Sequence, residues 1–312
     1  MREVASFASA VNGFELLTEG QAFQVRTAMD RTAASDGVVP LSEESRLRLT
    51  PDERGATHLL VGDDEHGVLG YASLDVVAGL DTPSAAEATA ELFVVPEWRG
   101  RGIGAGLLAS ALGIAPRLSV WSHGDLPAAR ALAGAQGLVR VRELRQLRRP
   151  LADLPPVPAA PDGVTVRLFE PGRDEDAWLA LNAAAFAHHP EQGGWTRHDL
   201  DLRLAEPWFD PAGFFLAERD GELVGFHWTK VHAPSATDPA LGEVYVLGVA
   251  PEAAGSGLGS LLTAVGLHSL AARGLATVLL YVEADNAPAL RVYERAGFSA
   301  HAVDVQYRRR DA

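Results

Sequence analysis

In the second half of the chain, the spacing of apolar positions switches from a strand period to a helix period within a few residues. Residues 243–249, EVYVLGV, alternate β-branched and aromatic positions with others, as a buried strand does. Pro251 ends the run, Gly255, Gly257 and Gly259 follow, and Leu258, Leu261, Leu262 and Val265 fall at i, i+3, i+4 and i+7. That spacing predicts an amphipathic helix that opens at the glycines and ends near Arg273. Its first turn presents unpaired backbone N–H groups and the positive end of the helix dipole, a setting suited to phosphate. The same order recurs at 91–114, ELFVVPEWRGRGIGAGLLASALGI, where Pro96, Gly102 and Gly104 lie 155 residues before Pro251, Gly257 and Gly259. One internal repeat accounts for both.

The flanking patterns repeat as well. Helical patterns occupy 18–36 and 42–49, the second capped by Ser42, and strands are expected at 57–62 and 68–77 around Glu65-His66-Gly67. After the first motif come a strand at 118–122, a helix at 126–135 and a strand at 139–147. Residues 151–162, LADLPPVPAAPD, hold four prolines and read as an extended linker. Beyond it lie a strand at 164–169, helices at 174–186 and 197–205, and strands at 214–219 and 222–231. The second motif follows, then a strand at 277–282, a helix at 287–296 closed by Gly297, and a last strand at 301–308. The expected fold is α/β: two tandem domains, 1–150 and 163–312, each a mixed central sheet with helices on both faces.

Composition narrows the function. Apolar residues are 47% and charged residues 22% of 312, as in a globular protein with room for two cores. A net charge of −14 argues against a nucleic-acid or anionic-membrane surface. With no cysteine, a disulfide framework, a thiolate metal site and a cysteine nucleophile are excluded. The adjacent pair His188-His189 lacks a helical ligand spacing, so no metal is expected, and the histidines read as surface or site-lining residues. No apolar run approaches the roughly 18 residues of a membrane span. The N-terminal MREVASFASAVNG holds a short apolar run like that of a signal peptide, but Glu3 is out of place in one, and a cytoplasmic location is expected.

Other glycine-rich loops fit poorly. A dinucleotide fold places Gly-x-Gly-x-x-Gly in the first strand-helix turn of its unit, and a P-loop needs Gly-Lys-Ser/Thr. Here the turn sits mid-unit and neither copy has the lysine. A glycine-rich helix start that binds nothing is the plain alternative for one copy, and two copies in matched settings weigh against it.

The shared pattern, an apolar strand, Pro, then Arg/Gln-x-x-Gly-x-Gly/Ala opening a helix, resembles the acetyl-coenzyme A motif of the GNAT acetyltransferases. RGRGIG at 99–104 matches completely, whereas Ala254 stands where the second copy would carry Arg or Gln. Backbone donors can survive that change, although a polar side chain near the pyrophosphate is lost. The segment NAPALRVYERAGF at 286–298 resembles the GNAT stretch in which an Asn and a helical Tyr approach the coenzyme sulfur. Its first-half counterpart has Leu132 or Ala133 at the tyrosine position. Glu243 lies eight residues before Pro251, and Ala88 holds that place before Pro96. Glu91, five before Pro96, should face the other side of its strand. One active C-terminal half and one degenerate half follow.

Acetyl transfer to an amine needs a neutral nitrogen, a place for charge on the carbonyl oxygen and an exit for sulfur. An α-amino group, with a pKa of about 7.7 to 8.0, needs only modest base assistance. Glu243, directly or through a water, is the candidate base, amides near Gly248 and Val249 can polarise the thioester oxygen, and Tyr293 is the candidate acid. Taken singly, a Glu at a strand start is usually solvated and a helical Tyr is usually packing.

FHWTKVH at 226–232, GEVYVLGV at 242–249, LLYVEADN at 279–286 and HPEQGGW at 189–195 resemble more closely the mycothiol synthases, a family of tandem GNAT enzymes. That resemblance covers nearly the whole chain. It implies acetyl transfer from acetyl-CoA to the cysteinyl amine of 1D-myo-inositol 2-(L-cysteinylamino)-2-deoxy-glucopyranoside, the last step of mycothiol biosynthesis; separately, a monomer is expected. Substrate contacts carry over to Glu43, Glu191, Lys230, Glu243 and Tyr281. Coenzyme contacts carry over to Leu247, Gly248 and Val249. They continue through the turn of Ala254, Gly255, Ser256, Gly257, Leu258, Gly259 and Ser260, and reach Asn286 and Arg291. In the first half they fall on Leu92, Phe93 and Val94, then on Gly100, Arg101, Gly102, Ile103, Gly104 and Ala105. Lys230 otherwise reads as a solvated strand residue. Two alternatives stay open: a GNAT enzyme for another small amine or peptide N-terminus, and a non-catalytic acyl-CoA sensor.

Overall fold

The computed structural model describes residues 11–50, 55–76, 87–187, 192–234 and 238–310. In chain order the elements are β1 (Asn12–Phe14), α1 (Glu19–Asp36), α2 (Glu43–Leu47), β2 (Thr57–Asp63), β3 (Gly67–Val76), β4 (Glu87–Val94), α3 (Ile103–Ile114), β5 (Arg117–Ser122), α4 (Pro127–Ala135) and β6 (Leu138–Pro150). The second series is β7 (Val164–Leu168), α5 (Glu175–Ala185), α6 (Arg197–Leu204), β8 (Phe214–Arg219), β9 (Glu222–His232), β10 (Leu241–Val249), α7 (Leu258–Ala272), β11 (Thr277–Glu283), α8 (Ala287–Arg295) and β12 (Ser299–Arg309). Local chemistry sets many ends. A capping box between Thr18 and Gln21 starts α1, Gly37 at φ 71° stops it, and the Ser42 side chain caps α2. Among the helices and strands of the described residues, only β1 has no counterpart in the sequence pattern, since three residues are too few to show a period.

The chain divides into two compact units. The first comprises Met1–Leu144, Glu283–Asp285 and Ala302–Ala312, and the second Arg145–Val282 and Asn286–His301. These units are not contiguous stretches. The first sheet runs β1-β2-β3-β4-β5-β12, with β12 antiparallel to β5 from Val305↔Ser122 to Arg308↔Ser119. The second runs β6-β11-β10-β9-β8-β7, with β6 contributing from Arg145 onward. Each sheet thus takes a strand from the segment that the sequence repeat assigns to the other half.

Both units bury apolar side chains on both faces of the sheet. In the first, Ile103, Leu107 and Ala111 of α3 pack on Leu59, Val61 and Leu69, while Ala22, Val25 and Ala28 of α1 pack on Leu60, Tyr71 and Phe93. In the second, Leu267 and Leu270 of α7 pack on Val244, Val278 and Leu280, while Trp178 and Leu181 of α5 and Leu200 of α6 cover Phe214, Phe226 and Trp228. Two histidines correct the expectation of surface or site-lining roles: His58 and His227 are completely buried. His58 Nδ1 lies 2.7 Å from the Tyr71 hydroxyl and His227 Nδ1 2.7 Å from the Leu262 carbonyl. Burial lowers both pKa values to about 4, so neutral imidazoles serve as core packing. His188 and His189 lie outside the described residues.

Candidate active site

In the second unit, the parallel ladder of β10 with β11 comprises Gly242↔Val278 and Glu243↔Leu279, whereas the antiparallel ladder with β9 continues to Val249↔Gly225. Past Glu243 the two parallel strands therefore part, and a bulge between Val244 and Val246 marks the divergence. The Ala250 amide donates to the Val224 carbonyl at 2.9 Å. By antiparallel alternation, the backbone groups of Leu247 and Val249 turn away from β9, toward the opening. Gly248 permits the close packing behind them, because a Cβ there would meet the Phe226 ring at 2.6 Å.

The turn at 254–257 is exposed and leads into α7 through Gly257, at φ 87°. No side chain caps that helix, so its first N–H groups keep their bonding capacity for an anion. The first unit repeats the device: Gly102, at φ 84°, opens α3 without a side-chain cap. Such backbone angles suit glycine and strain any β-branched residue. In the uncapped second copy, Ser256 Oγ donates to the Ala253 carbonyl at 2.7 Å, and Leu258, Gly259 and Ser260 form the first turn of α7.

Glu243, Lys230 and His232 share one face of the second sheet. Lys230 is the cross-strand partner of Glu243, and His232 lies two residues further along β9. The Glu243 side chain is 9% exposed, and its Oε2 lies 2.6 Å from Nε2 of His232, which is 35% exposed. The buried Lys230 ammonium sits 4.1 Å from the centre of the Trp208 ring and 5.0 Å from that of Tyr245. Arg203 Nε donates to the Tyr245 hydroxyl at 3.0 Å, with its guanidinium 3.9 Å from the Trp195 ring centre. These aromatics form a fixed floor beside the carboxylate. Tyr281, two residues past the partner of Glu243, falls on the same face by strand parity and is exposed. Its hydroxyl accepts a 2.8 Å bond from Gln146 Nε2. Gln146 Oε1 in turn accepts from Arg148, which pairs with Asp238 at 2.6 and 3.1 Å.

The Asn286 side chain accepts from the Ala289 amide at 3.1 Å and so caps α8, while Arg291 is exposed on that helix. Tyr293 packs edge-on against Phe298, with ring centres 5.7 Å apart. Burial pushes its pKa up to about 12. A proton there is held more tightly than on a free tyrosine.

The first unit contains a cavity of about 320 Å³ lined by Leu92, Phe93, Val94, Gly100, Gly102, Ile103, Gly104 and Ala105. Leu132 and Ala133, at the tyrosine position of the repeat, line it too. Arg101 points elsewhere, stacked 4.4 Å from the Trp98 ring centre. Arg99 is tied to Asp36 at 2.9 and 2.6 Å and to the Val94 carbonyl at 3.1 Å. At the cavity wall His123 lies between two carboxylates, 3.3 Å from Glu91 and 3.1 Å from Asp304. Glu91 also accepts from the Ser42 amide at 2.7 Å, just ahead of Glu43 at the start of α2. Thus Glu43 belongs to the first unit, while Lys230, Glu243 and Tyr281 belong to the second. Glu191 lies outside the described residues.

His232, Trp208, Arg203, Gln146 and Arg148 are absent from the sequence-derived set. His232 sits inside FHWTKVH, so the motif contained the signal, but its partner emerges only from strand register. Gln146 and Arg148 lie in the stretch that the repeat assigns to the first half. Among the described residues no cluster of His, Cys, Asp and Glu suits a metal ion, and no helix is long and apolar enough to cross a membrane.

Residues 178–298 match the model of the acetyltransferase (GNAT) family, and residues 55–134 match that of the acetyltransferase (GNAT) domain. An uncapped glycine-rich helix start in both units, with parted parallel strands beside it in the second, belongs to the same class: a tandem GNAT acetyltransferase. The chain is 54% identical over 301 residues to a mycothiol acetyltransferase of Streptomyces griseus, covering 96% of this chain and 95% of that one. It is 53% identical to the mycothiol acetyltransferase of Thermomonospora curvata, covering 93% and 94%. It belongs to the mycothiol acetyltransferase family. In fold it resembles a tandem GNAT protein from the clavulanic acid biosynthesis pathway, with a TM-score of 0.69 at 21% identity and 97% and 99% of the two chains covered. A GCN5-related N-acetyltransferase from Sphaerobacter thermophilus gives 0.62 at 24%, covering 96% and 95%.

Proposed function

We propose that this chain transfers acetyl from acetyl-CoA to the cysteinyl amine of 1D-myo-inositol 2-(L-cysteinylamino)-2-deoxy-glucopyranoside, making mycothiol, and that the second unit is where it does so. The observation carrying this is the meeting of Glu243, Lys230 and Tyr281 on one sheet face beside the parted strands β10 and β11. The uncapped α7 start and the outward amides of Leu247 and Val249 fit a coenzyme with a pyrophosphate and an amide-bearing arm. Acetyl-CoA, when bound, supplies the activated thioester.

The protein's own groups do the rest. Glu243 takes the proton of the amine, directly or through a water, and a nearly buried carboxylate beside His232 is held in one orientation for that purpose. The outward amide of Val249, with that of Leu247 beside it, polarises the carbonyl oxygen, while Gly248, in phase with Ala250, turns its own amide toward β9. Tyr293 donates a hydrogen bond toward the leaving sulfur. With its pKa near 12 and a thiol near about 8.5, full transfer of that proton is uphill by about 5 kcal/mol, which favours hydrogen bonding over transfer. Lys230 and Tyr281 orient the sugar-inositol hydroxyls, a role that the family resemblance also gives to Glu191 and, in the first unit, to Glu43. Asn286 and Arg291 hold the coenzyme on the α8 side. The first unit is catalytically degenerate, with Leu132 or Ala133 in place of a tyrosine, and binds acetyl-CoA through its cavity. The enzyme acts as a cytoplasmic monomer.

Mass-spectrometric detection of the acetylated product, with the cysteinyl compound set against aminoglycosides, polyamines and peptide N-termini, tests this. Preference for the cysteinyl compound is expected. Turnover of another amine instead would discard the substrate, and coenzyme binding without turnover of any amine would discard the activity.

A further inference from the structure

Glu243 is a nearly buried carboxylate, and a carboxylate removed from water needs donors to stay ionised and held in place. Among the described residues, the charged and polar groups closest to it in register on that face are Lys230 and His232 from β9 and Tyr281 from β11. The Lys230 ammonium is engaged over the Trp208 and Tyr245 rings, and the Tyr281 hydroxyl bonds to Gln146. His232 is the group whose polar atom lies 2.6 Å from Oε2. With Nε2 protonated, the imidazole donates to that oxygen, and a charge-assisted bond of this length fixes the plane of the carboxylate.

We propose that His232 is a positioning residue for acetyl transfer. Its Nε2–H occupies Oε2 of Glu243 and leaves Oε1 as the oxygen that receives the amine proton. The overall step balances without a further reactant. The N–C bond forms, the C–S bond breaks, one proton of the ammonium passes to Oε1 and on to solvent, and the second N–H proton ends on the coenzyme thiol. His232 acts through Glu243 and is itself outside the bond changes. Because the ring is 35% exposed, replacing it leaves the core intact.

The proposal rests on Glu243 being the base, and three variants of the full chain separate the two ideas. His232→Ala removes the donor, and kcat for the cysteinyl substrate is expected to fall about tenfold or more, with the acetyl-CoA KM unchanged. His232→Gln keeps an N–H donor at a similar reach, and kcat is expected to return to within about threefold of the parent. A residue that merely packs would not distinguish these substitutions by their donor. Full kcat in His232→Ala, or equal losses in both variants, would overturn the proposal while leaving the base in place. A Glu243→Gln variant with the parent rate would overturn the base assignment and the positioning role together.

Discussion

Lys230 stands directly across the β9–β10 ladder from Glu243, and its ammonium lies 4.1 Å from the Trp208 ring centre. A lysine held at 6% exposure over two aromatic rings has lost most of its rotamer freedom, so its charge is presented in one place. Lys230→Met keeps the apolar stem and removes the charge. The expected result is a KM for the amine substrate raised about tenfold, kcat changed by less than about threefold, and an unchanged KM for acetyl-CoA, read from initial rates.

In the mechanism proposed above, Tyr293→Phe removes a hydrogen bond toward the leaving sulfur. Since burial has pushed the hydroxyl up to about 12, proton donation is a minor part of what is lost. A reduction in kcat of about tenfold to a hundredfold is expected, in keeping with one hydrogen bond to a charged atom. Abolition of turnover would show that the proton itself is transferred.

The two glycine N-caps separate the roles of the units. Valine at φ 84° or 87° costs about 1–2 kcal/mol or more in the helix turn. Gly257→Val is expected to raise the acetyl-CoA KM about tenfold or more. Gly102→Val is expected to leave kcat within about twofold while lowering the coenzyme stoichiometry, measured by equilibrium dialysis, from two to one.

His123 links the first unit's stability to pH. Burial opposes its charge, but Glu91 and Asp304 outweigh that effect and raise its pKa from 6.5 to about 10. The folded value exceeds the unfolded one, so the stabilisation is complete below pH 6.5 and fades as pH rises toward 10. His123→Gln is expected to lower the melting temperature clearly at pH 6 and much less at pH 10. Equal losses at both would assign His123 a packing role only.

Features set by neighbours in the chain were legible in the sequence. The glycines opening α3 and α7, the helix periods and the capping residue Ser42 follow from local sterics and hydrogen bonding. Glu243 was singled out as the candidate base by counting along one strand from Pro251, and the structure buries its side chain. Features set by distant pairing were not. Asp304 meets His123 across 181 residues, and Gln146 meets Tyr281 across 135. A strand's pattern shows which of its faces is buried but not which sheet receives it. For that reason the places of β6 and β12, and the partners they bring, emerged only in three dimensions. The aromatic floor under Lys230 was hidden similarly, because Trp195, Trp208 and Tyr245 come from separate segments.

Everything proposed for the second unit turns on acetyl transfer through Glu243. Its most direct test is the pH dependence of acetyl transfer to the cysteinyl substrate by Glu243→Gln, with the product quantified by mass spectrometry. An amine with a pKa of about 7.7 to 8.0 is mostly protonated at pH 7 and mostly neutral at pH 9. The predicted kcat/KM is about a hundredfold below the parent at pH 7, and the deficit narrows to about tenfold at pH 9 as the amine loses its own proton. A Glu243→Gln enzyme that matches the parent at pH 7 would contradict the account.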